Sequence, residues 1–337
     1  MKQQMDNSEL ETTGKSTSSK NDYGMFITGI APVIGFVLVV IFFTITTKGN
    51  LLSVSNLQSL TNQVIVTALV SVGAVFVFGT GNLDMSLGGC VCISAVLGCM
   101  VAIPTGNLFL AFVVCIGSAL IMGLLKGVLA AFVEVPFFIV TIVLGTVITA
   151  GVLVMLGKET TLYLNNALPE IPSLSFTQMT AVNIITLGLY FVLCLIVFNF
   201  TGLGREIKIL GGNFFAARQS GIDTKRTKIF AFFVGSIGVG LAAFILLIRT
   251  RTVGSTTGGS IGIDVMVALV LGGMPISGGP RSKISAGLIG AATITVLNSG
   301  LTMMGLSTDV IQTCRGIIFL VVVLVTSLSY RTKLLPR

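Results

Sequence analysis

The chain has 337 residues, of which 53% are hydrophobic and 9% charged, with 20 Lys/Arg against 12 Asp/Glu, no Trp and no His. So few charges cannot coat a soluble globule of this size, and the mean hydropathy of +1.01 indicates a polytopic membrane protein. The lack of His excludes an imidazole base, a His-ligated metal and a Ser-His-Asp triad. The formal charge of +8 then asks which membrane face holds the bases, and argues against a nucleic-acid partner.

Residues 1–23 are polar, rich in Ser, Thr and Lys, and are expected to form a disordered tail. Apolar runs follow near 24–46, 58–79, 84–103, 107–126, 136–156, 181–200, 227–248, 262–279, 284–304 and 309–329, about ten spans at roughly 20 residues each. Residues 24–329 form the membrane domain in this reading, and 330–337 a short tail. The first run is too long for a signal-peptide core and lacks a clear cleavage pattern, so it is expected to be retained.

With an even number of spans the two termini share a side. Lys126, the cluster Arg205, Lys208, Arg218, Lys225, Arg226 and Lys228, the pair Arg281 and Lys283, and the tail bases all fall on that side. The opposite side holds Lys48, Lys158, Arg249 and Arg251, with Glu159 and Glu170 among them. This asymmetry predicts that both termini are cytoplasmic. Two loops are long: 157–180 outside and 201–226 inside. The six cysteines, Cys90, Cys92, Cys99, Cys115, Cys194 and Cys314, lie in apolar runs and read as small packing residues.

Charges inside spans are costly, about 2.5–3.5 kcal/mol each at a helix centre, so each asks for a reason. Asp84 lies in Gly79-Thr-Gly-Asn-Leu-Asp-Met-Ser-Leu-Gly-Gly89, and Asp264 in Gly258-Gly-Ser-Ile-Gly-Ile-Asp264 ahead of Gly272-Gly273. Each segment is a Gly-rich break, an apolar residue, Asp, and a short apolar stretch closed by Gly-Gly. Interrupted helices at matching places in two halves point to a transport pathway between inverted repeats. The offset of about five spans has the odd parity that inversion requires. Two roles stay open for these acids, helix N-caps or groups facing a passing solute, and the two are compatible. Arg315 is expected to snorkel or to pair with Asp309.

In the internal loop, Asn213 to Gly221 reads as a short helix with Asn213 as N-cap and Gly221 past its end. Gly211-Gly212 would let the chain turn sharply into it. Such a helix can dock in another protein's groove, or merely mark a basic loop. No Gly-x-x-x-x-Gly-Lys-Ser/Thr loop and no nucleophile–base pair is present, so hydrolysis by this chain is not expected, nor any cofactor.

Three stretches carry a resemblance. Gly81-Asn82-Leu83-Asp84-Met85-Ser86-Leu87-Gly88 is one. Leu203-Gly204-Arg205 with Leu210-Gly211-Gly212-Asn213, Ala216-Ala217 and Ser220-Gly221-Ile222 is the second. The third runs from Asp264 through Gly272-Gly273, Ser277-Gly278-Gly279, Leu288-Ile289-Gly290-Ala291 and Asn298 to Gly305. Together with Phe138-Ile139-Val140-Thr141, they resemble the permease subunits of the ribose/xylose/monosaccharide class of bacterial ABC importers. Gly262, Asn82 and Pro280 depart from that pattern.

The resemblance implies an all-α polytopic membrane protein of the second importer type, with about ten transmembrane helices in two inverted pseudo-repeats. It implies a bacterial cytoplasmic membrane location, two cytoplasmic ABC ATPases, an extracytoplasmic sugar-binding protein and a second permease copy as partners. Asn82, Asp84, Ser86, Asp264 and Asn298 would then shape the substrate path. Gly204, Arg205, Gly211, Gly212, Asn213, Ala216, Ala217, Ser220, Gly221 and Ile222 would contact the ATPase. Alternatives that stay open are a nucleoside, autoinducer-sugar or branched-chain amino-acid permease, and an ion-driven secondary transporter.

Overall fold

A computed structural model describes residues 30–133, 135–164 and 176–334. The expected tail at 1–23, the middle of the 157–180 loop and residues 335–337 lie outside the described residues. Helix α1 (Ile30–Thr46) leads through a 3-10 turn at Asn50–Leu52 into α2 (Val54–Gly79). Then come α3 (Leu87–Thr105), α4 (Leu108–Phe132), α5 (Phe137–Leu156), strand β1 (Thr161–Tyr163) and α6 (Phe176–Phe200). Short helices α7 (Gly202–Gly212) and α8 (Phe214–Gln219) precede α9 (Thr224–Thr250), β2 (Thr252–Gly254), α10 (Ile261–Leu271), α11 (Ile284–Met303) and α12 (Thr308–Leu334).

Among the described residues, helices α2 to α6, α9 and α11 make 7 that are long and apolar enough to cross a membrane, and α1 and α10 are shorter apolar helices. The eighth expected span, 262–279, is corrected. Its helix stops at Leu271, because Gly273, Gly278 and Gly279 take positive φ values of 85°, 69° and 89° and Pro275 and Pro280 interrupt the ladder. The irregular stretch still satisfies its backbone locally: Gly273 N–H bonds Val270 O at 3.0 Å, Met274 N–H bonds Leu269 O at 2.9 Å, and Gly278 N–H bonds Pro275 O at 2.9 Å. The α12 helix continues past residue 329 to Leu334. A small antiparallel ribbon, Thr161–Tyr163 on Thr252–Gly254, joins the loops after α5 and α9 and is the one departure from an all-helical chain among the described residues.

Tracing the chain, α7 and α8 lie at one end of the bundle and the ribbon at the other. The largest core cluster draws on α2, α3, α4 and α9, and includes Leu69, Phe76, Val91, Cys99, Cys115 and Leu247. A second cluster joins α1, α2, α10 and α11 through Phe43, Leu60, Val267, Ala268 and Ile294. Contact between α4 and α9 is set by small residues: a Cβ on Gly127 would stand 2.8 Å from Ile229 Cα, and one on Gly240 2.8 Å from Ile116 Cα. Threonine hydroxyls inside the helices bond carbonyls four residues back, as at Thr44, Thr295 and Thr302. Large apolar side chains such as Phe109, Ile121, Val154 and Leu189 stay exposed on α4, α5 and α6, as lipid-facing helices require.

Candidate functional site: two paired helix breaks and an outlying helix

Between α2 and α3 the chain leaves helical geometry for residues 80–86, with Gly81 at φ +82°. Asp84 Oδ1 accepts from Ser86 N–H at 2.9 Å and from the Ser86 hydroxyl at 2.7 Å. Its Oδ2 stands 2.6 Å from Lys126 Nζ on α4, with the two side chains 1% and 3% exposed. Thr141 on α5 completes the seam, its Oγ1 accepting Met85 N–H at 3.0 Å. Asn82 is half-buried and donates to Thr80 Oγ1 at 2.8 Å.

Three expectations change here. Asp84 is not the N-cap of α3; Ser86 holds that position, and Asp84 closes a turn just ahead of it. Lys126 is not in a basic loop: α4 runs on to Phe132 and carries Lys126 into the interior as the partner of Asp84. The apolar run on both sides of Lys126, Leu124-Leu125 before and Val128-Leu129-Ala130 after, was the readable signal. Asp84 and Ser86 also expose almost nothing here, so they do not face an open path in this conformation. The cavity beside Asp84, shared with Lys126 and Ser236, has about 10 Å³ of room, enough for one water and far short of a sugar.

The second break precedes α10. Asp264 sits inside the first turn of α10 rather than at its N-cap, its N–H bonding Ser260 O at 2.9 Å. Arg315 of α12 brings Nη1 to 2.8 Å from Asp264 Oδ1, an ion pair off the N–H axis, with side chains 11% and 9% exposed. Its Nε donates to Asn298 Oδ1 on α11 at 2.7 Å. Asp309 is therefore not the partner of Arg315, and it is exposed. Residues six apart lie on different helix faces, so that pairing was never within reach. Asp264, Asn298 and Arg315 form one cluster, whereas Asn82, Asp84 and Ser86 belong to the other.

The two breaks lie against each other. A Cβ on Gly262 would stand 2.8 Å from Met85 O, and one on Gly88 2.5 Å from Gly258 O. Gly262, a departure from the family pattern, is thus a position where backbone meets backbone.

At the far end, Asn213 caps α8: its Oδ1 accepts Ala216 N–H at 3.0 Å, and Gly221 turns the chain at φ +78°. Phe214, Phe215, Ala216, Arg218 and Ser220 are exposed on α8 and its C-cap, Phe215 at 74%, while Ala217 packs inward. Arg205, Gly212 and Asn213 are also exposed, Gly211 and Ile222 half-buried, and Gly204 buried against Phe198 O. Gly211 and Gly212 do not make the expected sharp turn. They end α7, and the change of direction falls at Asn213, at φ −159° and ψ 111°. Lys228 is drawn out of the basic cluster to donate to Ala130 O at 3.0 Å, near the end of α4. Lys208 lies 4.6 Å over the Phe198 ring, and that partial burial lowers its pKa below the usual lysine value.

Among curated proteins, the ribose import permease protein RbsC of Bacillus subtilis (strain 168) is 31% identical over 296 residues, covering 88% of this chain and 91% of its own. RbsC of Escherichia coli (strain K12) is 27% identical over 302 residues, 86% and 90% of the two chains. The xylose transport system permease protein XylH of Haemophilus influenzae is 27% identical over 341 residues, 82% and 90%. No solved structure matches the chain. A family model described as branched-chain amino acid transport system / permease component matches residues 56–325, which take in both breaks, both ion pairs and the α7–α8 segment. The chain is a multi-pass membrane transport subunit, and it belongs to the branched-chain amino acid transport system / permease component family.

Proposed function

We propose that the chain is the membrane-spanning subunit of an ABC importer for a monosaccharide, with ATP hydrolysed on a separate partner. The observation that carries this reading is likeness at nearly full length to ribose and xylose permeases, together with a capped α8 whose Phe214 and Phe215 are exposed. Two ATPase subunits would hold α8 in a groove on the face that bears Arg205, Arg218, Lys225 and Arg226, which is the cytoplasmic face. The ribbon end would then meet the extracytoplasmic binding protein, and both termini would be cytoplasmic. Residues 24–329 would form the transport unit between two short tails.

The buried state of Asp84 and the water-sized cavity beside it favour a sugar path along the surface of the chain, closed by a second permease copy. The residues Asn82, Asp84, Ser86, Asp264 and Asn298 would support that path from behind and move when it opens.

The test is reconstitution of the chain in liposomes with its ATPase and binding protein. Ribose or xylose uptake that requires ATP supports the reading. Uptake by the chain alone under an ion gradient, or of leucine in place of either sugar, overturns it.

A further inference from the structure

Three chain segments, distant in sequence, meet backbone to backbone, with the Pro280 ring beside Gly212. The first is the end of α2 at Phe78 to Gly81, the second the end of α7 at Gly211-Gly212, and the third the turn Ser277 to Pro280 between α10 and α11. Gly279 N–H donates to Gly79 O at 3.0 Å, tying the first to the third. A Cβ on Gly211 would overlap Gly79 O and stand 2.6 Å from Gly279 N. One on Gly278 would overlap Phe78 O and stand 2.8 Å from Gly81 N, and one on Gly279 3.0 Å from Gly212 Cα. Gly81, Gly278 and Gly279 hold φ of +82°, +69° and +89°, so the close approach is built on backbone that only glycine adopts easily.

We propose that this glycine junction is the point at which α7 drives both halves of the permease together; the proposal rests on α7 and α8 being the ATPase contact. The two segments at the end of α7 connect to the helices and turns that carry the buried acids. Residues 79–81 run directly into the turn that carries Asp84. Residues 277–280 follow α10, which carries Asp264, and open α11, which carries Asn298. Side chains at a contact can change rotamer and absorb a small displacement; backbone against backbone cannot. Movement of the α7 end must therefore shift both segments or break the contact. Gly211, Gly278 and Gly279 are positioning residues that act through this contact.

The test uses the assembled complex of permease, ATPase and binding protein, and reads sugar taken up per ATP hydrolysed, with ribose or xylose as the probe. In Gly211→Ala uptake per ATP hydrolysed falls by about tenfold or more, because the added methyl holds the three segments apart. Gly188→Ala, where nothing lies within 4 Å, keeps the wild-type ratio. Should Gly211→Ala fail to accumulate in the membrane, Gly212→Ala decides. Its methyl would stand 3.1 Å from Pro280 Cδ, so a loss of about threefold is expected, and Pro280→Ala added to it restores the ratio. An unchanged ratio in the variant that accumulates, or no rescue by Pro280→Ala, overturns the junction. If the wild-type chain binds no ATPase, the reading of α7 and α8 falls first and takes the junction with it.

Discussion

Removing Lys126 while leaving Asp84 strands a buried carboxylate in the main core. The two charges stand 2.6 Å apart with side chains 3% and 1% exposed. At an effective dielectric of roughly 20, their attraction is about 6 kcal/mol, and much of it offsets the cost of taking both from water. Lys126→Met removes the attraction but leaves Asp84 buried, a situation that costs about 3–5 kcal/mol. Asp84 keeps its two bonds from Ser86, which places the loss near the lower end, about 3 kcal/mol. Combining it with Asp84→Asn removes the stranded charge, and the amide oxygen can still accept from Ser86. The double variant is expected within about 1 kcal/mol of wild type. The assay is thermal unfolding of the purified chain in detergent, together with the amount inserted in the membrane. The single variant should be poor in both, and the double variant close to wild type. Equal damage in single and double variants would show that packing around Lys126, not the ion pair, holds this region, and the reasoning would be wrong.

Arg315→Met strands Asp264 in the same way and should destabilise by about 3 kcal/mol, whereas Arg315→Lys keeps the charge but loses the planar link to Asn298 and should cost less; the same unfolding assay ranks them. Asn213→Ala removes the α8 cap, worth about 1 kcal/mol, and should weaken co-purification of the ATPase, while Asn213→Ser preserves it. Equal retention of the ATPase by both variants would sever α8 from that contact.

Much of the helical framework was legible because a lipid-facing helix must be apolar for its whole length, so run length alone locates it. The breaks were legible too, since each is a Gly-rich stretch carrying Asp and Ser at the edge of an apolar run. The missing information concerned partners. Lys126 is 42 residues from Asp84 and Arg315 is 17 from Asn298, and no local period records which passing helix supplies a cation. The end of α10 was missed for a related reason. Residues 272–279 are apolar enough to read as span, and the positive φ values of Gly273, Gly278 and Gly279, with Pro275 and Pro280, end the helix. Positive-inside counting treated Lys126 and Lys228 as fringe charges, although each serves a helix interior or end. Asn213 and Gly221, by contrast, flank a single helix of 6 residues, and their capping roles could be read directly.

The repeated pattern around the two acids hides a mechanical difference. Asp84 is tied to α4, which packs along α9 in the centre of the main core, and its neighbour Met85 is held by α5. Asp264 is tied through Arg315 to α12, whose outer face is exposed along Asp309, Gln312, Thr313 and Gly316. A displacement delivered equally to residues 79–81 and 277–280 would therefore meet a stiff first half and a compliant second half, because local opening is easiest where few buried contacts resist it. Hydrogen exchange of the assembled complex tests this. On ATP binding, amides of α10 and the 272–283 stretch should lose protection sooner than those of 80–90, although both segments touch the same glycines of α7. The opposite order would mean that the Asp264–Arg315–Asn298 cluster, not the Asp84–Lys126 pair, is the fixed point about which the permease moves.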